Sequence, residues 1–495
     1  MQESSWPQDS DAISELSLNI SELTQEEQGI AEDLRSQGIF SSPAHPIPPS
    51  ADIPFSASFP QNLYKGRRGK AAVALTIIWG GTISLHLVSW GSWVVWGLTG
   101  LLWIQACRVL LAKPKPVLEP LSEENQENWP YVSLLVAAKN EEAVISDLVK
   151  TICNLDYPTS RYELWVIDDR STDKTPLLLE QLAQEYAQLK VFRRGADAGG
   201  GKSGALNQVL PLTKGDIVAV FDADAIVTPD LLRRVLPMFE REQVGAVQVR
   251  KAIANAPLNF WTRGQESEMA LDSFFQQQRT AIGGIGELRG NGQFVRRSAL
   301  EGCGGWNEET ITDDLDLTIR LHLDQWDIEF LASPAVSEEG VTSALALWHQ
   351  RNRWAEGGYQ RYLDYWRLIF RNRMGTAKTW DLFGFWVTQY LLPTAAIPDG
   401  LMSIVLRRLP ITSPLTVMTL TLSLVGMFVG LRRTRKETKF AVSTILVTLL
   451  QTLRGTLYMF HWLLVVGSVT ARISVRPKQL KWVKTIHQGT DNANG

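Results

Sequence analysis

The residues best suited to chemistry are acidic and fall in three clusters, each next to an apolar run. In Phe221-Asp222-Ala223-Asp224 the two carboxylates are two positions apart, so in an extended chain both point the same way. Such a pair can hold a hard cation such as Mg2+ (or Mn2+), which takes one or two carboxylates and completes its shell from substrate phosphates. The alternative is a solvated loop, but the pair closes the apolar run Ile217–Phe221. Val166-Ile167-Asp168-Asp169 also ends an apolar run; its carboxylates can accept from a base N–H and from ribose hydroxyls, or form a capping turn before Lys174. In Ile311-Thr312-Asp313-Asp314 a carboxylate can take a proton from an incoming hydroxyl. The alternation of Leu315, Leu317, Ile319, Leu321 and Leu323 reads by rule as a strand. The competing reading is a helix capped by Thr312, with Asp313 and Asp314 in its first turn.

Two further stretches complete the set. Gln350-Arg351-Asn352-Arg353-Trp354 offers a guanidinium for a diphosphate and an indole to stack on a sugar, or simply an amphipathic helix at a membrane surface. Gly199-Gly200-Gly201-Lys202-Ser203-Gly204 is not a P-loop, because Ala196 stands where the first glycine belongs; Lys202 can still approach phosphate.

These clusters need a frame. Apolar runs at Tyr131–Ala138, Leu164–Ile167, Asp216–Phe221 and Val244–Val249 read as strands. Helical spacing at Glu142–Leu155, Lys174–Ala187 and Pro229–Glu240 separates them. Strands alternating with helices predict an α/β fold with a mainly parallel sheet, whose ligands sit beyond the carboxyl ends of the strands.

The rest of the chain is membrane-like or unstructured by composition. Of 495 residues, 45% are hydrophobic, yet mean hydropathy is only −0.07, so any spans are offset by a large water-soluble part. Ala71–Ala112 is long enough for two spanning helices with a break near Ser89–Ser92. Asp381–Leu406, Pro414–Leu431 and Phe440–Arg472 are further candidates, the last read as two short helices or a tilted pair. Lys65, Arg67, Arg68 and Lys70 before the first span, and the basic runs Arg432–Lys439 and Arg472–Lys484, predict a cytoplasmic catalytic domain; Arg407 and Arg408 oppose that topology. Within the membrane part, Asp399 and Arg454 are the polar residues that could line a path. Residues 1–60 hold ten Asp/Glu against one Lys/Arg, and their Ser, Glu, Gln and Pro content predicts disorder, with a transient helix near Ser21–Arg35. They leave the remaining body at +6 of an overall −3, a balance that argues against nucleic acid and suits an anionic membrane surface and an anionic substrate. The three cysteines form no ligand spacing and no HxxxH pair occurs, so neither a disulfide nor a zinc site is expected.

In order, Asp168-Asp169, Asp222-x-Asp224, Thr312-Asp313-Asp314 and Gln350-x-x-Arg353-Trp354 resemble the motifs of the family 2 glycosyltransferases of the cellulose synthase-like type. Lys202-Ser-Gly-Ala-Leu-Asn207 resembles that family's K-x-G-A-L-N helix start. The resemblance implies a GT-A domain (Rossmann-like, mainly parallel sheet) flanked by transmembrane α-helices. It implies base and ribose contacts for Asp168 or Asp169, and donor and metal binding by Asp222 and Asp224. Asp314 would be the catalytic base, on a helix, with Gln350, Arg353 and Trp354 lining the diphosphate and acceptor. Two positions depart from the pattern: Arg170 stands where a glycine is usual, and Ala137–Glu141 lacks the usual proline. The long N-terminal tail, two leading spans and short C-terminal membrane part resemble members that glucosylate lipid. That implies a UDP-sugar donor, UDP-glucose, and a diacylglycerol or other lipid acceptor among membrane lipids, with an interfacial surface at Tyr362–Trp386. The rival within the family is a processive polysaccharide synthase; a scaffold without catalysis is the reading outside it. The expected organisation is an acidic tail (1–68), two spans (70–112), a cytosolic GT-A domain (113–371), C-terminal interfacial and transmembrane helices (372–472) and a basic tail (473–495).

Overall fold

The computed structural model describes residues 65–124, 126–435 and 442–476. The expectations for the acidic tail and for the chain after residue 476 lie outside them. Two apolar helices come first, α1 (Arg67–Leu87) and α2 (Gly91–Leu111). The sheet domain then runs β1 (Val132–Ala138), α3 (Ile145–Cys153), β2 (Tyr162–Asp168), α4 (Thr175–Glu185), β3 (Leu189–Arg193), α5 (Gly201–Val209) and β4 (Ile217–Phe221). It continues with α6 (Leu231–Val235), β5 (Val244–Ile253), α7 (Phe260–Ala281), β6 (Gln293–Arg296), α8 (Arg297–Gly302), α9 (Asp313–Leu323) and β7 (Asp327–Glu338), and leads into the 27-residue α10 (Ala344–Phe370).

The seven strands form one sheet in the order β3-β2-β1-β4-β6-β5-β7. Only β6 is antiparallel to its neighbours. All five residues of β4 are buried, because helices cover both faces; this is why the strand reads as an unbroken apolar run rather than an alternating one. In α3 the buried Ile145, Leu148, Val149 and Ile152 follow helical spacing and press one stripe onto the sheet. The order of strand addition reverses between β1 and β4, which run parallel: β2 and β3 lie to one side of β1, and β4 starts the other. Ala138 pairs with Asp168, and Val136 with Phe221, so both acidic clusters leave the sheet at one carboxyl edge, beside the switch point.

β3, β6, β7 and α7 were not among the sequence-expected elements. The residues after Asp314 form helix α9 and not the strand their alternation suggests. The reason is burial on every side. Leu315, Leu317, Ile319, Leu321 and Leu323 are buried, and so are the intervening Asp316, Thr318, Arg320 and His322. These polar groups are satisfied internally: Arg320 Nε donates to Asp316 at 2.7 Å, Thr318 accepts from the Leu288 amide at 2.9 Å, and a His322 ring nitrogen meets the Gly286 carbonyl at 2.8 Å. Thr312 holds the N-cap position without a side-chain cap; its hydroxyl lies where a Cβ on Gly357 would sit, at 2.2 Å. The glycine lets α10 approach the start of α9 this closely.

After α10 come α11 (Thr376–Trp386), a π-helical turn (Val387–Leu391), α12 (Leu392–Leu406), α13 (Ser413–Thr434), α14 (Val442–Met459) and α15 (His461–Val475). Four described segments are long and apolar enough to cross a membrane: α1, α2, α13 and the run Val442–Val475, which carries α14 and α15 on either side of Phe460. The expected span Asp381–Leu406 is not among these four; it lies in a continuous helical stretch, Thr376–Leu406, made of α11, the π turn and α12. Asp399 is a structural residue. Its carboxylate accepts from the Ile411 and Thr412 amides at 2.8 and 3.1 Å, closing the turn between α12 and α13, and meets His86 at 2.7 Å.

Candidate active site

A cavity of about 1340 Å³ opens at the carboxyl edge of the sheet. Single-ligand pockets are usually about 300–1,000 Å³, so this one has room for two substrates. Asp222, Asp224, Lys202, Asp313, Asp314, Gln350, Arg353 and Trp354 all face it.

Asp222 and Asp224 follow β4. The Asp222 amide donates to Asn291 Oδ1 at 3.3 Å, and Asp224 Oδ2 accepts from the Glu339 amide at 2.9 Å, so the ends of β6 and β7 fix the loop. Lys202, in the first turn of α5, places Nζ 2.6 Å from Asp222 Oδ1. Burial works against the ammonium, but Asp222, Asp313 and Asp314 outweigh it and hold the pKa above the usual lysine value.

Asp314 lies in the first turn of α9, close to Gly290 at a positive φ of 81°. A Cβ at Gly290 would come within 3.5 Å of the carboxylate, so a glycine there leaves space around it. Burial, reinforced by Asp313, pushes the Asp314 carboxyl up to about 6, against the opposing pull of its backbone contact, Lys202 and Arg289. A base is most effective with a pKa near the working pH, and this carboxylate meets that condition without a histidine.

Arg353 and Trp354 project from α10. Arg351, two residues before Arg353, is buried and locks the helix: it pairs with Glu268 of α7 at 2.5 Å, and Glu268 also accepts from Tyr458 and Trp462 at 2.9 Å each. Trp354 stacks under the Arg351 guanidinium at 3.9 Å, with Lys251 at 5.4 Å. Gln350 accepts from Arg351 at 2.5 Å. Among the described residues, no hydrogen bond or ion pair engages the Arg353 guanidinium. Burial pulls its pKa down, while Asp222, Asp314 and Asp313 pull it back. A cation so placed is complementary to an anion bound between it and the carboxylates.

Asp168 and Asp169 are not brought to the cavity wall. Both are buried at the end of β2: Asp168 accepts from the Ser171 amide at 2.9 Å, and Asp169 pairs with Arg194 at 2.9 Å. Arg194 also donates to the carbonyls of Gly199 and Gly201, so the aspartates anchor the glycine loop that presents Lys202. Arg170 adopts φ 61°, the left-handed conformation that a glycine at this position would take freely.

Sequence reasoning missed Arg194, Glu268, Lys251 and a buried ionic cluster on the far cavity wall. There Glu287 accepts from Arg361 at 2.6 Å, Arg289 at 2.8 Å and Arg279 at 3.5 Å, and Arg279 pairs with Asp381 at 2.7 Å. Burial alone would raise the Glu287 pKa, but the three guanidiniums hold it far below the usual carboxylate range. Scattered single charges carry no periodic signal. The one cue was the run Gly283–Gly292, with glycines at positive φ at positions 283, 290 and 292.

The two carboxylates after β4 suit a hard cation. No group of three or more His, Cys, Asp or Glu among the described residues is arranged to hold a metal alone, so an ion would depend on a phosphate-bearing partner for the rest of its shell. A switch-point aspartate pair, a separate buried carboxylate and an unengaged arginine over one cavity fit a glycosyltransferase with a GT-A catalytic domain. Residues 130–357 match the model described as glycosyltransferase like family 2, and the chain belongs to that family. It is 67% identical over 427 residues to a beta-monoglucosyldiacylglycerol synthase of Nostoc sp., covering 86% of this chain and 90% of the relative. It is 61% identical to a protein of the same name from Trichormus variabilis, over 99% of this chain and 100% of that one. A third such synthase, from Synechocystis sp., is 60% identical over 86% and 89%. Among solved structures, a mannosyltransferase from Pyrobaculum calidifontis in complex with GDP-Man and Mn2+ aligns at 20% identity over 79% of this chain and 99% of that one, with a TM-score of 0.47.

Proposed function

We propose that this enzyme transfers glucose from UDP-glucose to 1,2-diacylglycerol with inversion, giving β-monoglucosyldiacylglycerol at the cytoplasmic face of a membrane. The observation that carries the reading is the extent of the cavity. It runs from Asp222 and Asp314 to Ser423, the middle of the apolar helix α13, so a membrane lipid and a soluble nucleotide sugar can meet without leaving their own phases. Relatives at 60–67% identity named beta-monoglucosyldiacylglycerol synthase support the glucosylated diacylglycerol product.

In this reading Asp314 takes the proton of the acceptor hydroxyl as its oxygen attacks the anomeric carbon from the face opposite the diphosphate. The new C–O bond forms as the bond to UDP breaks, so an α-linked donor yields a β-glycoside. Arg353 and Lys202 take up charge on the departing diphosphate. Asp222 and Asp224 would hold a Mg2+ or Mn2+ ion, which when bound neutralises further charge there. Trp354, fixed by Arg351 and Lys251, offers a face for a sugar ring. Asp168 and Asp169 act through Arg194 on the glycine loop, and contact base or ribose only if these ion pairs rearrange. Asp399 and Arg454, the two polar residues proposed as linings of a translocation path, do not face this cavity, which gives the processive alternative no support.

The test incubates membranes containing the enzyme with labelled UDP-glucose or UDP-galactose, with and without diacylglycerol. A chloroform-soluble, single-glucose product dependent on diacylglycerol is expected. A water-insoluble polymer, or transfer from UDP-galactose alone, overturns the assignment.

A further inference from the structure

The cavity wall away from the nucleotide side combines three observations that the transfer chemistry does not use. Arg279 is buried, pairs with Asp381 and Glu287 through Nε and Nη1, and has no partner at Nη2 among the described residues. The chain between α11 and α12 winds as a π-helical turn, Val387–Leu391, which turns Gln389 onto the same cavity. π turns inside α-helices often mark functional positions. The Gln389 amide makes no hydrogen bond among the described residues. Phe385, one turn earlier, has its ring centre 4.8 Å from the guanidinium of Arg279 and 5.6 Å from that of Arg361. Beside this polar spot the lining includes the apolar Leu271 and Phe275 of α7 as well as Asp272 and Gln276, and the cavity continues to Ser423.

Two N–H donors without a protein acceptor among the described residues, next to the apolar Leu271, Phe275 and Phe385, call for two acceptor atoms on a largely apolar molecule. We propose that Arg279 Nη2 and the Gln389 amide form a seat for the two ester carbonyls of a diacylglycerol, and so make the enzyme selective for ester-linked acceptors. The proposal rests on the lipid-acceptor reading above and adds the part of the lipid that is recognised. The hydroxyl that attacks and the carbonyls are joined by the short glycerol unit. Holding the carbonyls therefore orients the hydroxyl toward Asp314, while the acyl chains follow the apolar wall toward α13. Gln389 and Arg279 are positioning and specificity residues here, since neither touches the reacting atoms.

The full-length enzyme in mixed micelles would be assayed with UDP-glucose and either 1,2-dioleoylglycerol or the matching dioleyl ether, which keeps the hydroxyl and chains and lacks the carbonyls. Wild type should prefer the ester by roughly tenfold or more in kcat/KM, as expected for lost hydrogen bonds to buried donors. Gln389→Leu should lower kcat/KM for the ester by about 5- to 20-fold, chiefly through the acceptor KM, and leave the ether and the donor KM unchanged, closing the gap. Arg279→Lys should act in the same direction; Gln389→Leu carries the test alone if that variant does not fold, because Gln389 is exposed to the cavity. An unchanged ester-to-ether ratio, or an equal fall with both acceptors, overturns the seat while diacylglycerol remains the substrate. Failure of wild type to glucosylate either acceptor overturns the lipid reading itself.

Discussion

Replacing the proposed base should make this protein more stable while it destroys turnover. The Asp314 carboxyl is shifted from 3.8 to about 6, first by burial and then by Asp313. The native state therefore prefers the protonated form, and stability falls as pH rises from about 4 through 6. At pH 7.5 the carboxylate is charged in both states. A shift of about 2 units corresponds to about 3 kcal/mol of native-state cost, to be discounted to about 1–3 kcal/mol because the side chain is only partly shielded from water. Asn cannot ionise, so Asp314→Asn should recover that amount at pH 7.5 and lose the advantage below about pH 4. In detergent, without substrate, the melting midpoint of the variant should exceed that of wild type by on the order of 2–5 °C at pH 7.5 and converge with it at low pH. Turnover should fall by about 10²–10⁴-fold, with donor binding retained. The rising limb of wild-type kcat/KM against pH should have an apparent pKa near 6, the value to which burial raises the Asp314 carboxyl. A variant no more stable than wild type at pH 7.5, or one retaining a tenth of its activity, would refute the reasoning.

Arg353→Met should lower kcat/KM for the donor by about 10- to 150-fold, the loss of one charge-assisted contact of about 1.5–3 kcal/mol; inhibition by UDP should weaken in parallel, and unchanged UDP inhibition would contradict the diphosphate role. Glu268→Ala leaves Arg351 buried and unpaired and should cost about 3–5 kcal/mol, measured by denaturant melting in detergent, with a smaller loss for Glu268→Gln. At Arg170, held at φ 61°, substitution by Gly should cost nothing measurable and substitution by Val about 1–2 kcal/mol; equal effects would show that the left-handed backbone is not what the position demands.

The parts of the fold legible in the sequence were those written in local pattern. β1, β2, β4 and β5 were visible as apolar runs, and the acidic residues that end β2 and β4 mark the carboxyl edge of the sheet. β3 alternates between buried and more exposed residues over only five positions, and β6 has four, too short for any period to register. α7 was hidden for another reason: of its residues, Gln265, Ser267, Glu268, Ser273, Gln276, Gln278, Arg279 and Thr280 are buried, so polar side chains occupy the face that would ordinarily read as an apolar stripe. The same cause misled the strand rule at α9, where one ring of polar groups is buried with its own partners. Within the site, Asp222, Asp224, Asp314 and Arg353 are drawn onto one cavity from three motifs; Asp168 and Asp169 are not, because Arg193, the last residue of β3, and Arg194 after it take up their charge.

The catalytic centre is built at a seam. The sheet supplies Asp222, Asp224 and the loop that presents Lys202, but the helix that carries Arg353 and Trp354 is held by groups from the C-terminal apolar helices, Tyr458 of α14 and Trp462 of α15, through the shared carboxylate of Glu268. The first apolar helix reaches the same place. Arg67 pairs with Asp364 of α10 at 2.5 Å and donates to the carbonyl of Glu309 at 2.8 Å, a few residues before the proposed base. Both contacts are buried or nearly so, where an unmatched charge is costly, so the apolar helices and the base cannot shift independently without breaking them. Association with a lipid phase and competence of the centre are thereby tied together: the residues that order the apolar helices are the partners of those that order the site. That coupling gives a physical reason why glucosyl transfer by such a chain would be confined to the membrane surface, where its acceptor is found.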